Sequence, residues 1–198
     1  MNVSSRWCVT AVFALGALAC SDPVPPPAQG AFIASIGPSP SPPPDSACAT
    51  SAFTYDVPKI RDMMLQDALT ESKYLHKTIN GEKGAKVSCT VKGGANGFTF
   101  SGQILLGGRG LQISNGTLGP TKTGTATITV SNSERLSPAQ LISPADVPCT
   151  VSAAQVGGNN LQVAAGNIWA TFDCPQVNLP PTSSCGADGV FVLENCEQ

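Results

Sequence analysis

Polar and apolar residues alternate along most of the chain after Gly81. Val87, Cys89 and Val91 share one side of this alternation, with polar residues between them. A period of two places successive side chains on opposite faces of a β-strand, so each such stretch has one apolar face to bury. Further candidate strands, separated by turn-forming residues, are 98–106, 111–114, 126–130, 147–153, 161–163, 168–174 and 189–194. The pattern therefore predicts a domain built from many short strands.

Residues 57–79 depart from this alternation. Pro58 stands near the start of the stretch, and apolar residues follow it at helical spacing: Ile60, Met63, Met64, Ala68 and Leu69. This spacing predicts one short helix ahead of the strands. Turn-forming residues separate the strand stretches at 93–94, 107–110, 115–116 and 157–160. We therefore predict an all-β fold, an antiparallel β-sandwich with one short N-terminal helix.

The first 19 residues have the three parts of a signal peptide. A short polar start ends in Arg6, an apolar run covers 7–18, and small residues precede Cys20. The run has 12 residues, whereas crossing a bilayer as a helix takes about 20. We predict that residues 1–19 are removed during export.

Proline dominates the next segment, 20–47, which carries nine prolines between Pro23 and Pro44. Each proline fixes φ and lacks an amide donor, so such a segment favours a solvated polyproline II spacer of about 3.1 Å per residue. We predict a tether over 20–47 and a folded domain over 48–198. An apolar island at 30–36 is the exception, because it could form a first strand docked on the domain.

Composition and charge narrow the range of partners. Charged residues make up 12% of the chain, below the roughly 25% of an average soluble domain, and the net charge is −2. No run of Lys or Arg is present that would neutralise several phosphates. Nucleic acid is therefore not expected as a partner.

Cysteine number and position predict disulfide bonds. Cys8 lies inside the leader and Cys20 at its end, and six remain: Cys48, Cys89, Cys149, Cys174, Cys185 and Cys196. The chain has one histidine and no C-x-x-C pair, so we expect three disulfides in an oxidising compartment and neither metal nor cofactor. The preferred pairing is Cys149 with Cys174, Cys48 with Cys89 and Cys185 with Cys196, although six cysteines permit about 15 pairings.

Residues suited to catalysis are few. His76 is the only histidine, and no nucleophile elbow, metalloprotease or phosphate-binding motif occurs. Four carboxylates could meet in space to form an acid and base pair: Asp146, Asp173, Asp188 and Glu194. Asp173 falls on the outward phase of its strand, where a solvated charge is the preferred interpretation. We therefore predict that the protein is not an enzyme.

Trp169 is the remaining candidate for ligand contact. It is the only tryptophan after the leader, and it alternates with Ile168 and Ala170, so it points away from the core. An exposed ring there could stack on a sugar, while the alternative is that Trp169 covers a loop or the helix. A sugar-binding module would need this ring exposed together with a second aromatic side chain.

The segment Gly16-Ala17-Leu18-Ala19-Cys20 resembles the lipobox of bacterial lipoproteins. The resemblance implies that the Cys20 thiol is acylated and that Cys20 becomes the new N-terminus, with two or three acyl chains holding it in a membrane. In bacterial lipoproteins, an aspartate directly after the acylated cysteine retains the protein at the inner membrane. This chain has Ser21 at that position, so the resemblance implies the outer membrane. Ala17-Leu18-Ala19 would also serve ordinary signal peptidase, and the protein would then be secreted.

The cysteine-containing strands extend this resemblance. Three segments, together with two later cysteines, resemble bacterial cell-envelope lipoproteins for which no activity is established. The segments are Val87–Val91, Pro148–Val151 and Ile168–Pro175, and the cysteines are Cys185 and Cys196. The resemblance implies a location and no catalytic residues. Our first hypothesis is a lipid-anchored, non-enzymatic protein that binds an envelope protein or glycan or has a structural role. The alternatives are a small secreted hydrolase that uses carboxylates or His76, and a carbohydrate-binding sandwich.

Overall fold

A computed structural model of the chain describes residues 24–38, 53–57, 77–132, 140–156, 160–161, 163–179 and 183–198. These residues form antiparallel strands joined by turns and one short 3₁₀ turn, Glu82–Gly84. The strands are β1 (Gln29–Pro38), β2 (Phe53–Val57), β3 (Thr78–Ile79), β4 (Lys86–Gly94), β5 (Gly97–Leu106), β6 (Arg109–Leu118), β7 (Thr123–Asn132), β8 (Gln140–Ile142), β9 (Cys149–Ala153), β10 (Gln155–Val156), β11 (Asn160–Leu161), β12 (Val163–Ala164), β13 (Asn167–Leu179) and β14 (Ser183–Glu194).

Twelve of these strands belong to one continuous sheet. Its strand order is β2-β1-β14-β13-β8-β7-β6-β5-β4. Two short strands lie off this path: β3 pairs with β1, and β12 pairs with β13. Strand β9 also bridges β13 and β7, so β8 and β9 share the gap between these two long strands. β10 and β11 form a separate hairpin. The predicted antiparallel β architecture is therefore confirmed.

The core lies between two parts of this single sheet. Phe100 on β5 stacks against Phe191 on β14, with ring centroids 6.1 Å apart. Because β5 and β14 are far apart in the strand order, this contact requires the sheet to fold over on itself. The β-sandwich prediction therefore needs a correction, since the two layers that enclose the core are joined by hydrogen-bonded strands rather than being separate sheets. The strands β8 and β9 provide this continuity.

The C-terminal residues close the free edge of β4. The Glu197 amide donates to the Cys89 carbonyl, and the Val91 amide donates to the Glu197 carbonyl, at 2.9 and 2.8 Å. Thr90 and Glu197 thus form a parallel bridge in an otherwise antiparallel sheet. An unpaired edge strand invites aggregation, so this short tail protects β4.

Strand β1 changes the predicted domain boundary. The apolar island forms a ten-residue strand that pairs with β14 along its whole length and with β2 on its other side. The prediction of a solvated spacer over the whole of 20–47 is therefore wrong for residues 29–38, and the expected first strand is confirmed. Apolar side chains at Phe32, Ala34 and Ile36 drive this outcome, since all three are buried in the core.

Two other local predictions also need correction. Val57 ends β2 and Thr78–Ile79 forms β3, so both ends of the predicted helix are strand residues, and 58–76 lies outside the described residues. Asn115 and Gly116 lie inside β6 rather than in a hairpin turn, and Asn115 has a φ of 52°. The register with both neighbouring strands shifts at this point, which identifies a β-bulge. The turn at Gly107-Gly108 is confirmed, with positive φ at both residues.

Candidate functional site

Two buried disulfides join distant parts of the sheet. Cys149 on β9 bonds Cys174 on β13, as the sequence predicts, at an S–S distance of 2.01 Å. Cys89 on β4 bonds Cys196 in the C-terminal tail at 1.97 Å. The inward direction predicted for Cys89, Cys149 and Cys174 is confirmed, because all three belong to the core. Such bonds persist in an oxidising compartment, so this domain is extracytoplasmic.

The other two predicted pairings are wrong. Cys89 does not bond Cys48, and Cys196 does not bond Cys185, since Cys89 and Cys196 bond each other. The tail after β14 runs beside β4, which brings Cys196 to Cys89 across a sequence separation of 107. Cys185 is buried and disulfide-bonded, and Cys48 lies outside the described residues.

Trp169 occupies the outer face of β13, as its phase predicts, but it is only 4% exposed. It forms a cross-strand pair with Val192 on β14, which in turn pairs with Ala31 on β1, and both neighbours are also buried. The indole N–H of Trp169 donates to Oε1 of Glu194 at 2.8 Å. Trp169 therefore does not meet the exposure that a sugar-stacking platform requires.

Glu194 organises the polar side of this cluster. Its Oε2 accepts hydrogen bonds from Gln29 Nε2 at 2.8 Å and from Lys77 Nζ, which also forms an ion pair with it. The Lys77 ammonium lies 5.6 Å from the centroid of the Trp169 ring, within the range of a cation–π interaction. These four residues come from β1, the residue before β3, β13 and β14, so the cluster ties the start of β1 to the rest of the sheet.

Burial and hydrogen bonding act in opposite directions on Glu194. Burial raises its pKa. Hydrogen bonds from Lys77, Trp169 and Gln29, together with the positive charge of Lys77, lower its pKa by more than burial raises it. The net effect is a pKa below the ordinary value of a glutamate, so the carboxylate is charged at neutral pH. A carboxylate with three donors has little capacity left for a ligand, which makes this cluster a structural anchor.

The remaining carboxylates are only partly brought together. Asp173 on β13 and Asp188 on β14 face each other in register, and both are exposed. The pKa of Asp188 is raised, first by partial burial and then by the negative charge of Asp173. Glu194 lies on β14 six positions beyond Asp188, roughly 20 Å along the strand. Asp146 is exposed in the turn before β9, and His76 lies outside the described residues.

A groove lined by described residues lies on the surface of the sheet. It lies beside the tip of the β4–β5 hairpin and has a volume of about 450 Å³. Its lining includes Lys92, Asn96, Phe98 and Thr117, with glycine backbone between them. The half-buried Phe98 ring carries the Lys122 ammonium 4.4 Å from its centroid. None of the four candidate carboxylates lines this groove.

No three metal-ligating side chains come together among the described residues. Within the same ranges, no helix is both long enough and apolar enough to span a membrane.

Comparison with known proteins adds no assignment. No protein-family model matches the chain, and neither curated proteins nor solved structures gave a match. The candidate site therefore depends on the geometry alone.

Sequence reasoning missed the partners that hold Trp169. The alternation gave its outward direction, but Glu194 is 25 residues away and Gln29 and Lys77 are much farther along the chain. A local signal existed only in Glu194, an acidic residue at the end of an otherwise apolar strand, 190–193. Which side chains surround it depends on strand pairing that no local pattern specifies.

Proposed function

We propose that this chain is a lipid-anchored cell-envelope protein that binds an envelope partner or has a structural role, without catalysing a reaction. The observation that carries the proposal is the pair of buried disulfides, Cys89–Cys196 and Cys149–Cys174, which require an oxidising compartment. A leader over residues 1–19 supplies the route out of the cytosol, and Cys20, which follows it, is the point of acylation. The outer membrane is the proposed destination, on the basis of Ser21.

We include a third disulfide, Cys48–Cys185, in this proposal. Cys185 is disulfide-bonded, and four other cysteines of the domain are already paired with each other. Of the three that remain, Cys8 falls in the proposed leader and Cys20 is the proposed lipidation site. The register supports Cys48, because Pro38 lies opposite Cys185 and Phe53 pairs back onto Ile36. The connection that contains Cys48 thus begins and ends near Cys185.

Anchoring is tested by metabolic labelling with an alkyne fatty acid. Wild-type protein and the Cys20→Ala variant are expressed in a bacterial host, and membranes are separated from soluble fractions. We expect label on the wild-type protein in the membrane fraction and none on the variant. Cys8→Ala is the matched control, because a leader cysteine should not affect labelling. Unlabelled wild-type protein in the soluble fraction would contradict lipid anchoring and favour secretion.

A glycan is the partner that the groove at the β4–β5 hairpin favours. Phe98 offers an apolar ring, Asn96 and Thr117 offer hydrogen-bonding groups, and Lys92 and Lys122 add positive charge. This combination suits an acidic sugar better than a neutral one. Glycan-array binding by the wild-type domain, compared with Phe98→Ala and with Trp169→Phe as a control outside the groove, tests this. Loss of binding in Trp169→Phe but not in Phe98→Ala would contradict it.

A further inference from the structure

The point at which the chain enters the domain is fixed by hydrogen bonds on both sides. The Asn195 side-chain amide donates to the Pro27 carbonyl at 3.1 Å. The Asn80 backbone amide donates to the Ala28 carbonyl at 2.9 Å. Residues 27 and 28 therefore belong to the domain, although they precede β1.

This attachment leaves a short connection to Cys20. Only residues 21–26 lie between Cys20 and Pro27, and three of them are prolines. At about 3.1 Å per residue, a polyproline II segment of this length reaches roughly 19 Å. A tether that continued to Ala47 would reach several times farther. An acyl anchor at Cys20 would therefore hold this end of the sheet close to the bilayer.

A turn with two exposed lysines lies directly beside this entry point. The turn comprises Gly81–Lys86 and is held by a hydrogen bond from the Gly81 amide to the Ala85 carbonyl. The Asn80 side chain accepts a hydrogen bond from the Val87 amide, so the residue that binds Ala28 also fixes the end of the turn. Lys83 and Lys86 are exposed, and Glu82 is exposed between Gly81 and Lys83.

We propose that the Gly81–Lys86 turn contacts an anionic membrane surface and orients the domain with this end toward the bilayer. The inference rests on the proposed anchoring at Cys20, which supplies proximity. Lys83 and Lys86 outnumber Glu82, and Lys77 is neutralised by its ion pair with Glu194, so the turn carries one net positive charge. A juxtamembrane cation is attracted to anionic lipid within about a Debye length of the surface. The short tether, which reaches at most roughly 19 Å, lets the turn come within this distance of about 10 Å, and the charge of the turn then favours that orientation.

Hydrogen exchange on vesicles tests the orientation. The mature protein is placed in vesicles of phosphatidylcholine alone or with phosphatidylglycerol added, and exchange is followed for peptides covering 80–87 and 93–97. We expect exchange in 80–87 to slow about fivefold on the anionic vesicles, which is the population shift that one net charge supports. Residues 93–97, at the far end of β4, should exchange equally on both kinds of vesicle.

Matched variants separate the turn from general charge effects. Lys83→Glu combined with Lys86→Glu should abolish the slowing. Lys92→Glu should leave it intact, because Lys92 lies on the same strand as Lys86 but roughly 20 Å away from it. Equal exchange of 80–87 on both kinds of vesicle, or slowing at 93–97 instead, would overturn the inference.

The design distinguishes failure of this orientation from failure of the anchor. Intact mass shows first whether the protein carries acyl chains. If it does not, the proposed anchoring fails, and the mature chain is coupled through the Cys20 thiol to maleimide lipid in the same vesicles. Exchange of 80–87 in the coupled protein then tests the contact by itself, with the same two outcomes.

Discussion

The Cys89–Cys196 bond makes the strongest quantitative prediction. Replacing both cysteines by alanine removes a cross-link that closes a loop of 107 residues. In the chain-entropy treatment, such a loop is worth about 4.8 kcal/mol at 25 °C, because the bond restricts the unfolded chain. With the pairing predicted from the sequence, the same variant would break two bonds, Cys48–Cys89 and Cys185–Cys196, which close loops worth about 3.9 and 2.8 kcal/mol. The expected loss of stability therefore depends on which pairing is correct.

Two structural details bear on this magnitude. The proposed Cys48–Cys185 bond gives a shorter covalent path between Cys89 and Cys196, through 48–89 and 185–196, of about 52 residues. This lowers the predicted effect by only about 0.6 kcal/mol, because the dependence on loop length is logarithmic. The bond also holds the tail whose Glu197 pairs with β4, so its loss should loosen that edge as well. We expect the free energy of unfolding to fall by about 4 kcal/mol in the double variant.

Urea unfolding of the chain from Ser21 onward, without reductant, measures this loss. Trp169 fluorescence reports the transition, since it is the only tryptophan after the leader. With a slope of about 2 kcal/mol per molar urea, the midpoint should fall by roughly 2 M. The denatured variant should contain no free thiol, because the remaining cysteines are all paired. A loss below about 2 kcal/mol would contradict the chain-entropy magnitude. Two reactive thiols in the denatured variant would refute the pairing, because Cys89 and Cys196 would then have been bonded to other cysteines.

Three further substitutions test the Glu194 cluster and the packing of the sheet by the same urea assay. Glu194→Gln should lower the free energy of unfolding by about 2 kcal/mol at pH 7. Because the folded pKa of Glu194 is lowered, the stability that its charge contributes is present above the ordinary glutamate pKa and is lost as the pH falls through the folded pKa. The stabilities of wild type and variant should therefore converge in acid. Gly124→Ala should cost about 3 kcal/mol, since its Cβ would lie 1.9 Å from the Thr117 carbonyl oxygen, whereas Gly37→Ala has open space and should change stability little. Ser143→Ala should cost about 2 kcal/mol, because the buried Ile128 amide would lose its acceptor. Equal stability at pH 7 for wild type and Glu194→Gln, equal costs for the two glycine variants, or no cost at Ser143 would contradict these assignments.

Features that depend on local alternation were predictable from the sequence. Val87, Cys89 and Val91 are buried on one face of β4, and Trp169 points outward on β13. Cys149–Cys174 was also predictable, because both cysteines share the inward phase of strands close in the sequence. In each case neighbouring residues carry enough information to fix the direction of a side chain.

Features set by long-range pairing were not predictable. Cys196 meets Cys89 only because the tail runs parallel to β4, which no pattern near Cys196 indicates. Asn115-Gly116 is typical of a hairpin turn, yet pairing with β5 and β7 on both sides keeps it inside β6 as a bulge. The burial of Trp169 likewise follows from its cross-strand neighbour Val192 and its hydrogen bond to Glu194.

Intact mass of the protein extracted from membranes tests the central proposal most directly. The proposal predicts a chain that begins at Cys20, carries the added mass of acyl groups, and lacks the six hydrogens that three disulfides remove. Reduction should restore those hydrogens without removing the acyl groups. A chain that retains residues 1–19, or one whose cysteines are all reduced on extraction, would contradict export and anchoring together.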